Sequence, residues 1–222
     1  HGKSLRVDNA HHLPEAAIEF CLREAGICWG DLDAVAYSLD PELRRRHACL
    51  GRDGRPDDFG HPEGEAMFQR SLARVPGTIR RRTQAQLHFV PHHSAHAWYA
   101  VGTSPFERAA VLVVDGIGEG ASVSLGRADR RQLRIERQSF FPHSLGLAWE
   151  KVARFLGLTE YDACKVMALA GLDPATPEGR LSGHLRWHRG GGLEVGEAVF
   201  DLEHPDDWSG LESLFGVKRR EA

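Results

Sequence analysis

Three histidines and one aspartate carry the clearest chemistry in this chain. The run Pro91-His92-His93-Ser94-Ala95-His96-Ala97 places His92 and His96 four residues apart. At helical spacing such residues share one face, one turn apart, which lets two imidazoles reach a single metal ion. His93 points about 100° away on a helix and is the poorer co-ligand; a phosphate contact or a supporting role suits it better. Downstream, the apolar run Val111-Leu112-Val113-Val114 ends in Asp115 and opens into Gly116-Ile117-Gly118-Glu119-Gly120. A strand-end aspartate can join the histidines at a metal. Gly116 and Gly118 let backbone N–H groups approach phosphate oxygens. The plainer alternatives are histidines at a polar helix start and a hairpin turn with a surface aspartate. The glycines form neither a P-loop nor a complete dinucleotide fingerprint.

Lys165 is a further candidate. It stands in the largely apolar run Tyr161 through Gly171, where a buried ammonium needs a phosphate or carboxylate partner. The alternative is that its aliphatic stem carries it to the surface. Cys164 beside it has no evident histidine base and is not read as a nucleophile. No residue identifies itself as a general base, so the catalytic residues stay unassigned.

The elements that must hold these groups follow from periodicity. Pro14 starts a helix over 15–25 with Ile18, Cys21, Leu22 and Ala25 as its apolar stripe and Gly26 as its stop. Residues 33–38 read as a short strand. The charged, Gly- and Pro-broken stretch 40–62 reads as an exposed excursion, and 63–82 as a helix interrupted near Pro76-Gly77. A strand at 86–90 leads into the histidine helix, which is expected to reach about Val101. Strands follow at 109–114, 121–126 and 132–138, the last two joined by a hairpin at 128–131. Ser144 to Phe155 is an amphipathic helix with Leu145, Leu147, Ala148, Val152 and Phe155 inward. Asp162 to Ala170 is expected to be a second, more buried helix. Residues 174–222 read as irregular structure or short strands.

The bulk properties bound the class. The 222 residues are 41% hydrophobic, enough for a core, and carry a net charge of −3. That balance gives no global pull toward nucleic acid or anionic lipid. No apolar run approaches the roughly 18–20 residues a membrane span requires, so neither a membrane nor a nucleic-acid partner is expected. Arg44-Arg45-Arg46 and Arg80-Arg81-Arg82 read as solvated surface. Cys21, Cys28, Cys49 and Cys164 match no zinc spacing and fit a reduced, cytoplasmic setting; core packing is expected for Cys21 and Cys28. Residue 1 is His and no signal peptide is visible, so a fragment of a longer protein is expected.

In order and spacing, four segments resemble the O-carbamoyltransferase family of nodulation and antibiotic-tailoring enzymes. They are Pro91 to Ala97, Val113 to Glu119, Ser144-Leu145-Gly146-Leu147-Ala148-Trp149-Glu150, and Tyr161 to Gly171. His11-His12-Leu13-Pro14 and Leu214-Phe215-Gly216-Val217-Lys218 add to the match. The resemblance implies an α/β fold: a partial actin-like ATPase (ribonuclease H-like) domain over 1–222, with a mixed sheet and flanking helices. It implies that His92, His96 and Asp115 bind an iron-like divalent metal, with His93, Gly116, Gly118 and Lys165 toward phosphate, nucleotide or intermediate. The implied reaction uses ATP and carbamoyl phosphate to form carbamoyladenylate and carbamoylates a hydroxyl of a sugar or other small-molecule acceptor. A homodimer is left open. The family's upstream histidine segment and later metal-binding aspartate fall outside residues 1–222. Cys164 and Ala168 depart from the usual motif, and its closing Pro-Tyr-Gly is not reproduced after Ala170. Two alternatives stand: a tRNA threonylcarbamoyl transferase-like enzyme, against which the His92-His93 pair and the Trp149 helix argue, and a non-catalytic metal- or nucleotide-binding module.

Overall fold

A computed structural model describes residues 14–48, 59, 62–159, 162–172, 179 and 181–220. In chain order the elements are α1 (Glu15–Ala25), β1 (Ala34–Tyr37), α2 (Pro41–Ala48), α3 (Pro62–Arg80), β2 (Gln86–Phe89), α4 (His92–Thr103) and β3 (Arg108–Val114). β4 (Ala121–Asp129), β5 (Leu133–Phe140), α5 (Leu145–Phe155) and α6 (Ala163–Leu172) follow, then β6 (Leu185–Trp187), β7 (Leu193–Val195), α7 (Glu197–Phe200) and α8 (Ser209–Phe215). The class is mixed α/β.

Among the described residues there is no single mixed sheet. β1 and β2 pair in parallel, β3-β4-β5 form an antiparallel triplet, and β6-β7 an antiparallel pair. The first two sheets meet through side chains at the candidate site, described below, rather than through a continued ladder. α4 lies between them in sequence and packs on the triplet. Its Ala97 and Val101 cluster with Val111 and Val113 of β3, Ala128 of β4, and Leu133 of β5. That anchored face fixes the roll of α4, and therefore where each histidine points.

The larger core lies on α5 and the C-terminal elements. Val123, Ala148 and Phe155 pack with Leu193, Val195, Val199, Phe200, Leu202 and Leu211. The expectation of irregular structure beyond 174 was right about short strands and missed this core. Elements of three to seven residues are too short to show a countable period. Phe200 and Leu211 are almost wholly buried, and truncating such a side chain to Ala costs about 2–5 kcal/mol.

Several other expectations are corrected. The excursion at 40–62 contains a helix, α2, and Arg44 within it is 5% exposed. Arg45, Arg46 and Arg80 through Arg82 are exposed as expected. α3 runs unbroken through Pro76 because Leu72, Val75 and Ile79 bury one stripe on both sides of it. That packing offsets the hydrogen bond a mid-helix proline forfeits. α6 is mostly exposed, with Met167 at 62% and Leu172 at 82%, and Val166 alone buried among its described side chains; its even apolar distribution offered no stripe to orient. Cys21, Cys28 and Cys164 are exposed thiols, so Cys21 and Cys28 do not pack in the core. Cys49 and the early His11-His12 lie outside the described residues. Leu22 and half-buried Ile18 carry the inner side of α1, which Gly26 ends in the left-handed conformation at φ 68°.

Candidate metal centre

Two elements present the candidate ligands. α4 begins at His92, and β3 ends at Val114, so that Asp115 sits on the turn opposite the helix start. His92 Nε2 lies 2.8 Å from Asp115 Oδ2, His96 Nε2 3.5 Å from the same oxygen, and the two Nε2 atoms 3.1 Å apart. Metal–ligand bonds of about 2.0–2.2 Å at 90–110° separate neighbouring ligand atoms by roughly 3–3.5 Å. The three atoms thus already stand at the spacing of one coordination face. Two imidazoles and a carboxylate converging in this way are a donor set that could hold a divalent transition metal such as iron.

The donor state also fits. His92 Nδ1 is 2.9 Å from the Ser38 carbonyl oxygen, which only accepts hydrogen bonds, so Nδ1 carries the proton. In the neutral ring the Nε2 lone pair then faces the triad, the arrangement in which a backbone carbonyl orients a metal-binding histidine. Without metal, a proton occupies that position. The hydrogen bond to Asp115 raises the His92 pKa above its ordinary 6.5 despite partial burial. The same bond lowers Asp115 from 3.8 to about 2.

Asp115 is held by its neighbours. Its backbone N–H donates to the Ser122 carbonyl, and its Oδ1 accepts from Gly116 N–H at 2.7 Å. Ser144 caps α5 by accepting from Leu147 N–H, and its hydroxyl donates to the Gly116 carbonyl at 2.5 Å. Gly146 permits this contact: a Cβ there would stand 2.6 Å from the Asp115 carbonyl oxygen and the Gly116 nitrogen.

The other predicted residues are placed differently. His93 turns into the triplet sheet, 3% exposed, with Nδ1 2.7 Å from Ser124 Oγ. Ser124 Oγ also accepts from Gln138. Burial lowers the His93 pKa, and its Nε2 has no partner among the described residues. Gly118 N–H donates to the Ala121 carbonyl. A Cβ on Gly118 would lie 3.1 Å from His92 Cβ and from His93 Cδ2. Close packing against the histidines therefore explains this glycine directly. Lys165 is 61% exposed and pairs with Asp162 at 2.7 Å, and among the described residues it makes no contact with the triad. The structure brings together His92, His96 and Asp115, sets Gly116 and Gly118 on the adjoining turn, and turns His93 and Lys165 to other partners.

Sequence reasoning passed over the groups behind the ligands. Glu119, 3% exposed, accepts hydrogen bonds at Oε1 from the backbone N–H of His92 and of Asp40, each at 2.8 Å. Arg44 donates to the Gly118 carbonyl and pairs with Glu65 at 2.5 Å. An acidic residue directly after the glycine turn was the available sign for Glu119. The Ser38 carbonyl leaves no sign in a sequence.

The family described as carbamoyltransferase N-terminus matches residues 3–185. This chain belongs to that family. The nodulation protein NolNO of Sinorhizobium fredii is 31% identical over 178 residues, covering 77% of this chain and 25% of that protein. An uncharacterized protein of Synechocystis is 30% identical over 175 residues, covering 71% of this chain and 28% of its own length. One from Methanocaldococcus jannaschii is 28% identical over 122 residues, 54% of this chain and 23% of that one. The chain thus spans about a quarter of the length of the curated relatives it matches. Among the described residues of this carbamoyltransferase-family chain, no helix is long and apolar enough to cross a membrane.

Proposed function

We propose that this chain supplies the metal-holding part of an O-carbamoyltransferase. In this reading the whole protein, in the cytoplasm, takes a carbamoyl group from carbamoyl phosphate with ATP, through carbamoyladenylate, and passes it to a hydroxyl of a sugar or natural product. The actin-like fold, the ATP and carbamoyl phosphate, the hydroxyl acceptor and a homodimer belong to the proposal and rest on the family resemblance.

The observation that carries it is the convergence of His92, His96 and Asp115, with ligand atoms 2.8–3.5 Å apart, in a chain of the carbamoyltransferase family. A bound divalent metal would supply Lewis acidity toward a carbonyl or phosphate oxygen. The chain's own residues do the positioning. Ser38 sets the His92 ring, Ser144 and Gly146 hold the Asp115 turn against α5, and α4 carries His92 and His96 on one face. For phosphate or intermediate binding, Gly116, Gly118 and Lys165 would each exchange the partner they hold here. His93 Nε2 has no partner among the described residues, but that atom is sealed from solvent.

Metal analysis of the purified chain tests the assignment. After loading with Fe²⁺, His92→Ala and His96→Ala are expected to lose the metal, whereas His93→Ala retains more. Equal retention in all three would sink the reading.

A further inference from the structure

Behind the triad lies a buried carboxylate that no ligand assignment uses. Glu119 Oε1 accepts two backbone N–H groups, those of His92 and Asp40, both at 2.8 Å. Pro91, the residue before α4, makes no side-chain cap hydrogen bond. The first N–H groups of a helix have no partner within it, so Glu119 supplies from 27 residues away what the local sequence does not. A negative group there also favours the helix N-terminus.

The second N–H ties this cap to the turn that orients the ligand ring. Ser38, whose carbonyl accepts from His92 Nδ1, is two residues before Asp40. Asp40 in turn caps α2, its Oδ1 accepting from Glu42 and Leu43 N–H. α2 returns through Arg44 to the Gly118 carbonyl, adjacent to Glu119. Glu119 thus ties the backbone of His92 directly to the segment whose Ser38 carbonyl holds its ring.

We infer that Glu119 is the positioning residue of the metal centre, setting the place of His92 Nε2 without touching the ion. The inference rests on the proposed metal role of His92, His96 and Asp115. Groups that orient a ligand in this way typically change metal affinity by about 10–100-fold when lost. Gln at 119 keeps an oxygen able to accept both N–H groups, and Ala does not.

The test uses the full chain, stripped of metal and titrated with Co²⁺. Glu119→Ala is expected to bind about 10–100-fold more weakly than the parent chain, with Glu119→Gln remaining close to it. Arg44→Ala frees α2 from the turn but leaves the Glu119 bonds, and should also remain close. In the metal-free Glu119→Ala chain, amide hydrogen exchange at His92 and Asp40 should lose its protection. If Glu119→Ala does not fold, Glu119→Asp, one methylene short of both N–H groups, takes its place with the same expected loss. Unchanged affinity in Glu119→Ala would overturn the inference alone. So would an equal fall in Arg44→Ala, which would show general loosening. A parent chain that binds no Co²⁺ would overturn the metal assignment itself and this inference with it.

Discussion

In the metal-free chain, Asp115→Asn should cost stability near pH 6 and gain a little near pH 9. Asp115 and His92 shift each other in opposite directions. The Asp115 carboxyl is lowered from 3.8 to about 2, so its contribution is present above pH 3.8 and is lost as pH falls toward 2. His92 is raised above 6.5, so its contribution is present below 6.5 and is lost as pH rises through the raised value. The pair therefore stabilises a window bounded by these two titrations. The lowering of Asp115 corresponds to roughly 2 kcal/mol. Its side chain is 32% exposed, so solvent screening reduces this to about 1–2 kcal/mol. At roughly 2–4 °C per kcal/mol for a chain of this length, the substitution should lower Tm at pH 6 by about 2–8 °C. Above the His92 pKa the sign turns. The Ser38 carbonyl keeps the proton on Nδ1, so the Nε2 lone pair then faces a carboxylate in the parent and an amide donor in the variant. Thermal unfolding of both chains in chelator, from pH 5 to 9, reads the crossing. An equal Tm loss at both ends would refute an ion pair governed by His92 protonation.

Two further outcomes follow from the same geometry. Metal affinity should rise with pH until the raised His92 pKa is passed, with protons released on binding at neutral pH. Calorimetry in two buffers of different ionisation enthalpy measures that release, and none would contradict a protonated metal-free His92. Gly146→Ala should destabilise by about 1–3 kcal/mol, because its Cβ would meet the Asp115 and Gly116 backbone at 2.6 Å. Gly102→Ala, on α4 with nothing within 4 Å, should gain about 0.5–1 kcal/mol. Urea midpoints compare the two.

Local patterns made much of this chain legible. The stripe Leu145, Leu147, Ala148, Val152 and Phe155, with Ser144 before it, marks α5 at its observed bounds. The i, i+4 spacing of His92 and His96 puts them on one helix face, and the strand-end position of Asp115 makes it a candidate to meet them. These features are local, and the sequence by itself determined them. The packing of distant segments decided the rest. Arg44 looked like one of three solvated arginines until α2 carried it onto Gly118 and Glu65, and Glu119 looked like the tail of a glycine turn. The C-terminal core was hidden in elements too short for periodicity. The helix carrying Lys165 read as the more buried of the two, yet α6 leaves most of its surface open. The ring orientation of His92 depends on the Ser38 carbonyl and its backbone on Glu119, and such contacts follow from the path of the chain in space. Residue types therefore name the candidate ligands, whereas only the tertiary structure shows that their atoms converge to 2.8–3.5 Å and what holds them there.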